Sequence, residues 1–489
     1  MAYCNQLELI LPAWGKLNGF RTGTIALLTL MLLQLALTKL RAVEITNHFV
    51  FAHYMVCYDD YGDFGYANPD VDTNLTIAGY EQDIRDAQAA GIDGFALNCG
   101  QWDSPGSNPT YVNHTEMMYI AAERLGTGFK LFFSVDTTNL VDIVDMISSH
   151  ANRTNSFRYQ GKLVVSTSGQ NGVDWQNKVF QPLQQAGINV FFVPYFYPDN
   201  GAPYTMAAVT NLLAKYTFLD GLFYFPAATP QYLTTVNEYY LLPCRGAGKL
   251  YMASYSPSYW GNAWPTNTGR PYYESQGGEG TMFEWMWIIN NQPDWVEMTT
   301  WNDFNENTWC SPIVSPVQYE SELSTPTRYG HGGYLELSKY YISWYKTGRQ
   351  PPINQDSLYY FYRTHSTNAI ASNTGPNDFP VTLFSNNGIV QDVIYTTTFL
   401  TSPAQLVVSS GDTLVTNSLP TGISSQRTPF AAGAQVISVL RDGIPVLLAQ
   451  GPDILANITN YDYFTASGFA HGLNPPLMLS IQPQGNNGP

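Results

Sequence analysis

His48-Phe-Val-Phe-Ala-His-Tyr-Met-Val56, Tyr80-Glu-Gln-Asp-Ile-Arg-Asp-Ala-Gln-Ala-Ala90 and Gly94-Phe-Ala-Leu-Asn-Cys99 together decide the fold. The first and last are near-continuous runs of aliphatic, β-branched and aromatic residues, as expected of strands buried on both faces. The middle stretch spaces its apolar residues as an amphipathic helix does, and Gly91 supplies its stop. Strand, helix and strand in that order make a parallel βαβ unit. The same grammar recurs at Lys130 to Val135, Leu163 to Thr167, Asn189 to Phe196, Gly221 to Phe225, Leu250 to Ser254 and Trp295 to Trp301. Eight such runs predict an α/β fold of the (β/α)8 TIM-barrel type.

The texture changes beyond the barrel. Tyr334 to Tyr345 reads as a last helix, and Gly348 and Pro351-Pro352 punctuate the chain after it. Short alternating strands then take over, among them Val381 to Phe384, Gln405 to Val408 and Gln435 to Leu440, with Asp442-Gly443 as a hairpin turn. A C-terminal β-sandwich domain is expected. The predicted boundaries are 1–43 for a signal peptide or signal-anchor, 44–350 for the barrel and 351–489 for the sandwich with a disordered tail.

Only 12% of the 489 residues are charged, about half the usual fraction, while 14% are aromatic. Net charge is −16, which argues against nucleic acid and against an anionic membrane surface. A neutral polyhydroxylated partner fits better, since sugar rings present apolar faces to Tyr and Trp, although an aromatic core reads the same way.

Ile25 to Thr38 is an apolar run flanked by Lys16, Arg21, Lys39 and Arg41. It is short for a membrane span and reads as a secretory signal, with an uncleaved signal-anchor as the alternative, the one route to membrane association. Four N-glycosylation sequons, at Asn74, Asn113, Asn152 and Asn457, agree with export. A secreted, extracellular or cell-wall monomer is expected. The scattered cysteines show no C-x-x-C, no H-E-x-x-H appears, and no metal or cofactor is expected. The absence of G-x-S-x-G and G-x-G-x-x-G argues against a serine hydrolase and a nicotinamide enzyme.

Catalysis in a barrel sits at the C-terminal ends of the strands. Strand one leads to Asp59 and Asp60 and strand three to Asp136. Strand eight leads to Asp303 and Glu306 within Thr300-Trp-Asn-Asp-Phe-Asn-Glu-Asn307. Glycoside hydrolysis needs one carboxylic acid for the leaving oxygen and one carboxylate to activate water or attack the sugar. The spacing of three fits both an inverting and a retaining separation. The competing reading of Asp303-x-x-Glu306 is a helix-capping box, but Pro312 would cut that helix short. His53, Asn98, Asp136, Tyr195, Tyr255, Trp301 and Asn302 are candidates to hold sugar at the mouth, each with a structural alternative. The long seventh connection, Pro257 to Asp294, is expected to shape the cleft.

Phe51-Ala-His-Tyr-Met-Val56, Gly91-Ile-Asp-Gly-Phe-Ala-Leu-Asn98, Tyr251-Met-Ala-Ser254 and Thr300-Trp-Asn-Asp-Phe-Asn-Glu306 together resemble glycoside hydrolase family 71, the fungal α-1,3-glucanases also called mutanases. The resemblance runs from about residue 48 to about 365. It implies a barrel with a C-terminal β-sandwich and inverting hydrolysis of α-1,3-glucan, and the reading it leads to is a secreted endo-acting enzyme of cell-wall glucan. It also implies Asp303 and Glu306 as the catalytic pair; within it we expect Glu306, with a raised pKa, as acid and Asp303 as the base that activates water. Asn305 and Asn307 stand where the family pattern has Gly and Ser. Cys57 and Cys99, ending adjacent strands, suggest a disulfide. The rival readings are a glycosidase of the same fold with another linkage preference and a non-catalytic carbohydrate-binding wall protein.

Overall fold

The computed structural model describes residues 48–57, 73–105, 110–198, 204–261, 272–304, 306–312, 317–318, 327–328, 330–372 and 388–472. The apolar run at 25–38, Asp59, Asp60, Asn305, the expected strand at 381–384 and the C-terminal tail lie outside them. No helix among the described residues is long and apolar enough to cross a membrane.

Eight parallel strands carry the fold: β1 (Phe49–Met55), β2 (Gly94–Cys99), β3 (Lys130–Val135), β4 (Lys162–Thr167), β5 (Val190–Phe192), β6 (Gly221–Phe223), β7 (Leu250–Tyr255) and β8 (Trp295–Met298). They pair in the order β5-β4-β3-β2-β1-β8-β7-β6, with the short Arg158–Tyr159 strand added antiparallel to β4. All eight predicted runs are strands. Three end early for local reasons. Pro194 follows β5 and has no N–H to give the ladder. Pro226 follows the run that contains β6, and after β8 the chain folds back, Thr300 N–H donating to Thr308 O at 2.9 Å. Past the ends of the ladder, Asp220 N–H donates to Phe192 O and Phe223 N–H to Pro194 O, each at 3.0 Å. The sheet is curled with helices on its outer side, an α/β barrel-like fold.

Side chains alternate in direction along each strand. On β1, Phe49 and Phe51 face the interior with Phe132, Phe157 and Trp295, their rings 4.9 to 6.1 Å apart and mostly edge-to-face. Phe51, Phe132, Phe157 and Trp295 are buried, and each such ring contributes about 1.5–3 kcal/mol of transfer free energy. Val50, Ala52 and Tyr54 face the helices. Tyr54 donates to Asp83 of α1 (Thr73–Ala89), the predicted first helix begun a few residues earlier. Gly91, in the left-handed region, ends that turn. The remaining helices among the described residues are α2 (Thr110–Leu125), α3 (Leu140–His150), α4 (Gln181–Gln185), preceded by a π-helical turn at Trp175–Phe180, α5 (Met206–Lys215), α6 (Pro230–Gly246), α7 (Gly277–Asn291) and α8 (Gly332–Thr347).

Two four-stranded antiparallel sheets follow. β9 (Ser357–Arg363), β10 (Val393–Leu400), β13 (Gly422–Pro429) and β16 (Thr465–His471) form the first, and β11 (Ala404–Ser410), β12 (Thr413–Leu419), β14 (Gly433–Arg441) and β15 (Ile444–Ile454) the second. Asp442 and Gly443 both take positive φ, as the hairpin between β14 and β15 requires. Leu358, Ile394, Leu406, Val408, Ile437 and Val439 pack into one core shared by the two sheets. The other face of the first sheet, through Tyr359, Phe361, Tyr395 and Phe399, belongs to the barrel core. A Cβ added at Gly278 of α7 would meet Thr397 Oγ1 at 2.4 Å, so that helix lies directly on the sheet.

Among the described residues Cys57, Cys99, Cys244 and Cys310 are free thiols, and the suggested Cys57–Cys99 disulfide is not formed. Strand parity explains this. Cys99 points outward, its Sγ 3.7 Å from Thr115 Oγ1 of α2, while Cys57 lies past the end of β1, where the charges of Asp303 and Asp136 act on it.

Candidate active site

Asp303 and Glu306 lie in a closed loop between Thr300 and Cys310. Thr300 and Thr308 bond to each other through backbone and hydroxyls, and Cys310 N–H returns to Thr300 O at 3.0 Å. Within it Asp303 N–H donates to Thr300 Oγ1 at 2.8 Å, and Asp303 Oδ1 accepts from Glu306 N–H at 3.2 Å. The second bond is the one a capping box would make, but no helix follows: residues 306–312 are turn and coil. The Asp therefore orders a turn that carries the Glu.

Glu306 is half-buried, and its carboxyl is pushed up to about 8, first by desolvation and then by the Asp303 charge beside it. Tyr259 and Tyr273, stacked at 4.8 Å on a short ladder in the seventh connection, feel the charge of Glu306 in turn. That connection is fastened to the loop: Trp260 N–H donates to Glu306 O at 2.9 Å and Ser258 Oγ to Asn307 O at 2.5 Å. The sequence placed this connection at the cleft, but not these two tyrosines. Asn307 takes the left-handed φ of 57°, a conformation Asn tolerates.

A polar chain crosses the barrel beneath the mouth. Glu297 of β8 pairs with His53 Nδ1 at 2.7 Å, both fully buried. Asn98 Nδ2 reaches His53 Nε2 at 3.1 Å and Asp136 Oδ2 at 3.4 Å, and Gln170 donates to Asp136 Oδ1 at 3.1 Å. With Asn98 donating to Nε2, the ring proton sits on Nδ1, facing Glu297. Burial raises the carboxyl of Glu297, and that of Asp136 rises too, chiefly by desolvation, although Asp136 is exposed at the rim.

The sequence-predicted sugar contacts divide accordingly. Asp136 reaches solvent, and Asn98 lies just beneath it. His53 does not: it has no exposed surface and supports Asn98 from below. Tyr255 has the parity of Tyr251, which faces α6, and turns outward onto Trp285 and Thr281 of α7. Trp301 packs on Phe95 outside the sheet and donates to Asp83 Oδ1 at 3.0 Å. Asn302 spends both ends of its amide on Met55, accepting from its N–H at 2.7 Å and donating to its O at 3.1 Å. Tyr195 is buried and bonded to Tyr204. Two residues on, Tyr197 is 49% exposed, held through its backbone by Asn171. Gly169, at φ +87°, lies against its ring: a Cβ there would sit 2.7 Å away. No strand pattern singled it out; the aromatic run Phe191 to Tyr197 held it without saying which ring would emerge.

A carboxyl protonated near neutrality beside a second carboxylate can deliver a proton to a leaving oxygen while its partner activates water. Among the described residues no group of three or more His, Cys, Asp or Glu is placed to hold a metal ion. The model of glycosyl hydrolase family 71 matches residues 46–472, nearly the whole described chain. The chain belongs to glycosyl hydrolase family 71. Its curated relatives include the glucan endo-1,3-alpha-glucosidase agn1 of Schizosaccharomyces pombe, 28% identical over 408 residues, with 80% of this chain and 91% of that protein covered. A mutanase of Penicillium rubens is 28% identical over 440 residues, covering 87% and 89%. The ascus wall endo-1,3-alpha-glucanase of Schizosaccharomyces pombe is 27% identical over 454 residues, covering 86% and 97%. The family 71 match runs through both the barrel-like sheet and the two terminal sheets, so the family unit includes the terminal sheets.

Proposed function

We propose that this family 71 glycoside hydrolase cleaves α-1,3-glucosidic bonds of fungal cell-wall glucan as a secreted, endo-acting, inverting monomer. Glu306 is the general acid and Asp303 the base that activates water. The observation that carries the roles is the placing of the half-buried Glu306 beside Asp303 in one short loop at the end of β8, its N–H on Asp303 Oδ1 at 3.2 Å, where desolvation and the Asp303 charge raise its carboxyl. The names of the relatives support the linkage. Asp136, Asn98, Tyr259, Tyr273 and Tyr197 supply the sugar contacts, in place of the buried Tyr195, Tyr255, Trp301 and Asn302.

The sheet closes as a (β/α)8 barrel over residues 44–350, a reading supported by the two backbone hydrogen bonds that link the ends of β5 and β6. The terminal sheets form the β-sandwich of the 351–489 region, a division supported by α8 ending at Thr347 and β9 starting at Ser357. Residues 1–43 act as the export signal, and the protein is membrane-bound only where that signal stays uncleaved.

The test is reducing-sugar release from α-1,3-glucan, with α-1,4-, β-1,3- and β-1,4-glucans as controls and Asp303→Asn and Glu306→Gln beside the wild type. Release from α-1,3-glucan alone, lost in both variants, is expected. An activated glycoside that needs no protonation of its leaving group should rescue Glu306→Gln but not Asp303→Asn. Binding of the polymer without release would refute catalysis, and release from another glucan would refute the linkage. Inversion is read from the anomeric form of the first product by NMR.

A further inference from the structure

Between Trp301 and Pro312 the described residues of the catalytic loop form no helix or strand. Beyond its internal bonds, it is held from behind by a third hydrophobic core, separate from that of the barrel and from that between the terminal sheets. Phe304 and Trp309 enter this core from the loop, Trp260 and Tyr272 from the seventh connection, and Tyr461, Tyr463 and Phe464 from the segment that leads into β16. Phe464 stands between the first two groups. Its ring meets Trp260 edge-on at 4.8 Å and Trp309 at 5.5 Å. Trp260 is the residue whose N–H holds Glu306 O, and Trp309 also lies flat on His331 at 3.6 Å.

Phe464 is itself fixed from the terminal sheets. Its N–H donates to Asp462 Oδ1 at 3.1 Å, and Asp462 N–H donates to Nε2 of His365, which follows β9, at 3.1 Å. The His365 ring meets Tyr463 at 4.9 Å, and Tyr463 meets Trp260 at 5.8 Å. A continuous packed path therefore runs from β9, through Phe464 and Trp260, to the backbone of Glu306.

We infer that Phe464 is a positioning residue for the Asp303 and Glu306 pair, and that the terminal β region forms the back wall of the active site rather than an appended module. This rests on the reading of Asp303 and Glu306 as the catalytic pair. Catalytic groups tolerate little displacement: about 1 Å can cost on the order of a hundredfold in rate. A ring that backs the loop, and does not reach the cleft, should affect turnover without affecting substrate affinity.

The experiment measures kcat and KM on soluble α-1,3-linked glucose oligosaccharides, with Tm, for Phe464→Ala, Phe464→Leu and Leu406→Ala. Leu406 lies in the core between the two sheets and controls for lost packing alone. Phe464→Ala is expected to lower kcat roughly ten- to a hundredfold with KM within about twofold. Phe464→Leu should recover most of the loss, and Leu406→Ala should lower Tm while leaving kcat unchanged. If Phe464→Ala does not fold, Trp260→Phe keeps the backbone bond to Glu306, removes the ring volume that Phe464 abuts, and should show the same split. A kcat that follows Tm equally in the two cores, or a raised KM at constant kcat, overturns the inference. Glu306→Gln is run alongside. Full activity in that variant would defeat the catalytic reading itself, whereas an inactive Glu306→Gln with normal turnover in Phe464→Ala would defeat only the positioning role.

Discussion

Raising the pH through 8 tests the catalytic assignment most directly. A general acid must enter the reaction protonated, and the carboxyl of Glu306 is pushed up to about 8 by burial and the Asp303 charge. At a pKa of about 8, roughly ten acids stand for each carboxylate at pH 7, and the ratio is reversed at pH 9. The alkaline limb of kcat/KM should therefore be level near neutrality, half-fallen at about pH 8 and roughly tenfold down at about pH 9, with unit slope. The apparent value belongs to the Asp303 and Glu306 pair together. The assay is initial-rate release from soluble α-1,3-linked glucose oligosaccharides, with circular dichroism at each pH to keep unfolding apart from titration. A limb near the ordinary glutamate value of about 4.3, with activity already lost at neutrality, would refute the argument that burial loads Glu306 as the acid.

Asp392 pairs with the buried Arg363 at 2.8 Å, and Asp392→Asn should cost about 1–3 kcal/mol in a denaturant titration, because it removes a charged hydrogen-bond partner from the guanidinium and leaves it the Glu274 charge alone. Desolvation raises the Asp392 carboxyl, but the bonds from Ser366, Arg363 and Thr367 outweigh it and hold it below its ordinary value of 3.8. Its contribution to stability is therefore present above the ordinary aspartate range and lost as pH falls through the depressed folded value; a mutant whose deficit did not shrink on acidification would contradict this. Tyr197→Ala should raise KM on long oligosaccharides several-fold, by about 1 kcal/mol of lost stacking, with kcat little changed, while Tyr197→Phe stays near wild type; equal KM values for the Ala variant and the wild type would remove Tyr197 from the binding surface. Asn302→Ala should lower stability by about 1–3 kcal/mol through the loss of two part-buried bonds to Met55, and its effect on KM should be small; a large KM change at unaltered Tm would restore it as a sugar ligand.

The strands are legible because their apolar runs are short, rich in β-branched and aromatic residues and recur eight times between helical stretches, and β2 and β3 are bounded to the residue. The Asp303 and Glu306 pair was legible because the end of β8 concentrates two carboxylates. The binding residues were less so. Tyr255, Trp301 and Tyr195 were read from their place near a strand end, but place without parity does not give direction. On β7 Tyr255 shares the outward parity of Tyr251, and counting by twos from Tyr251 would have excluded it. The same count correctly keeps Asn98 and Asp136 at the interior, in line with Ala96 and Ser134. Asn302 and Phe464 are of another kind: one bonds to β1, the other arrives from the far end of the chain, and neither partner is written in the local sequence.

The aromatic surroundings of Glu306 bear on its raised carboxyl. Only 12% of the residues are charged and 14% are aromatic, and the described residues placed about the Asp303 and Glu306 loop are mostly rings. Here those rings are Tyr259 and Tyr273 at the cleft, with Trp260, Trp309 and Phe464 behind. Rings remove water without returning positive charge, so desolvation acts on Glu306 with only the Asp303 charge added to it, and both raise its proton affinity. A single cation placed in that shell would pull the carboxyl down and discharge the acid. Tyr273→Arg, on the ladder beside Glu306, should therefore move the alkaline limb of kcat/KM toward lower pH. A limb that stayed near pH 8 in that variant would show that something other than the uncharged aromatic surroundings holds the proton on Glu306.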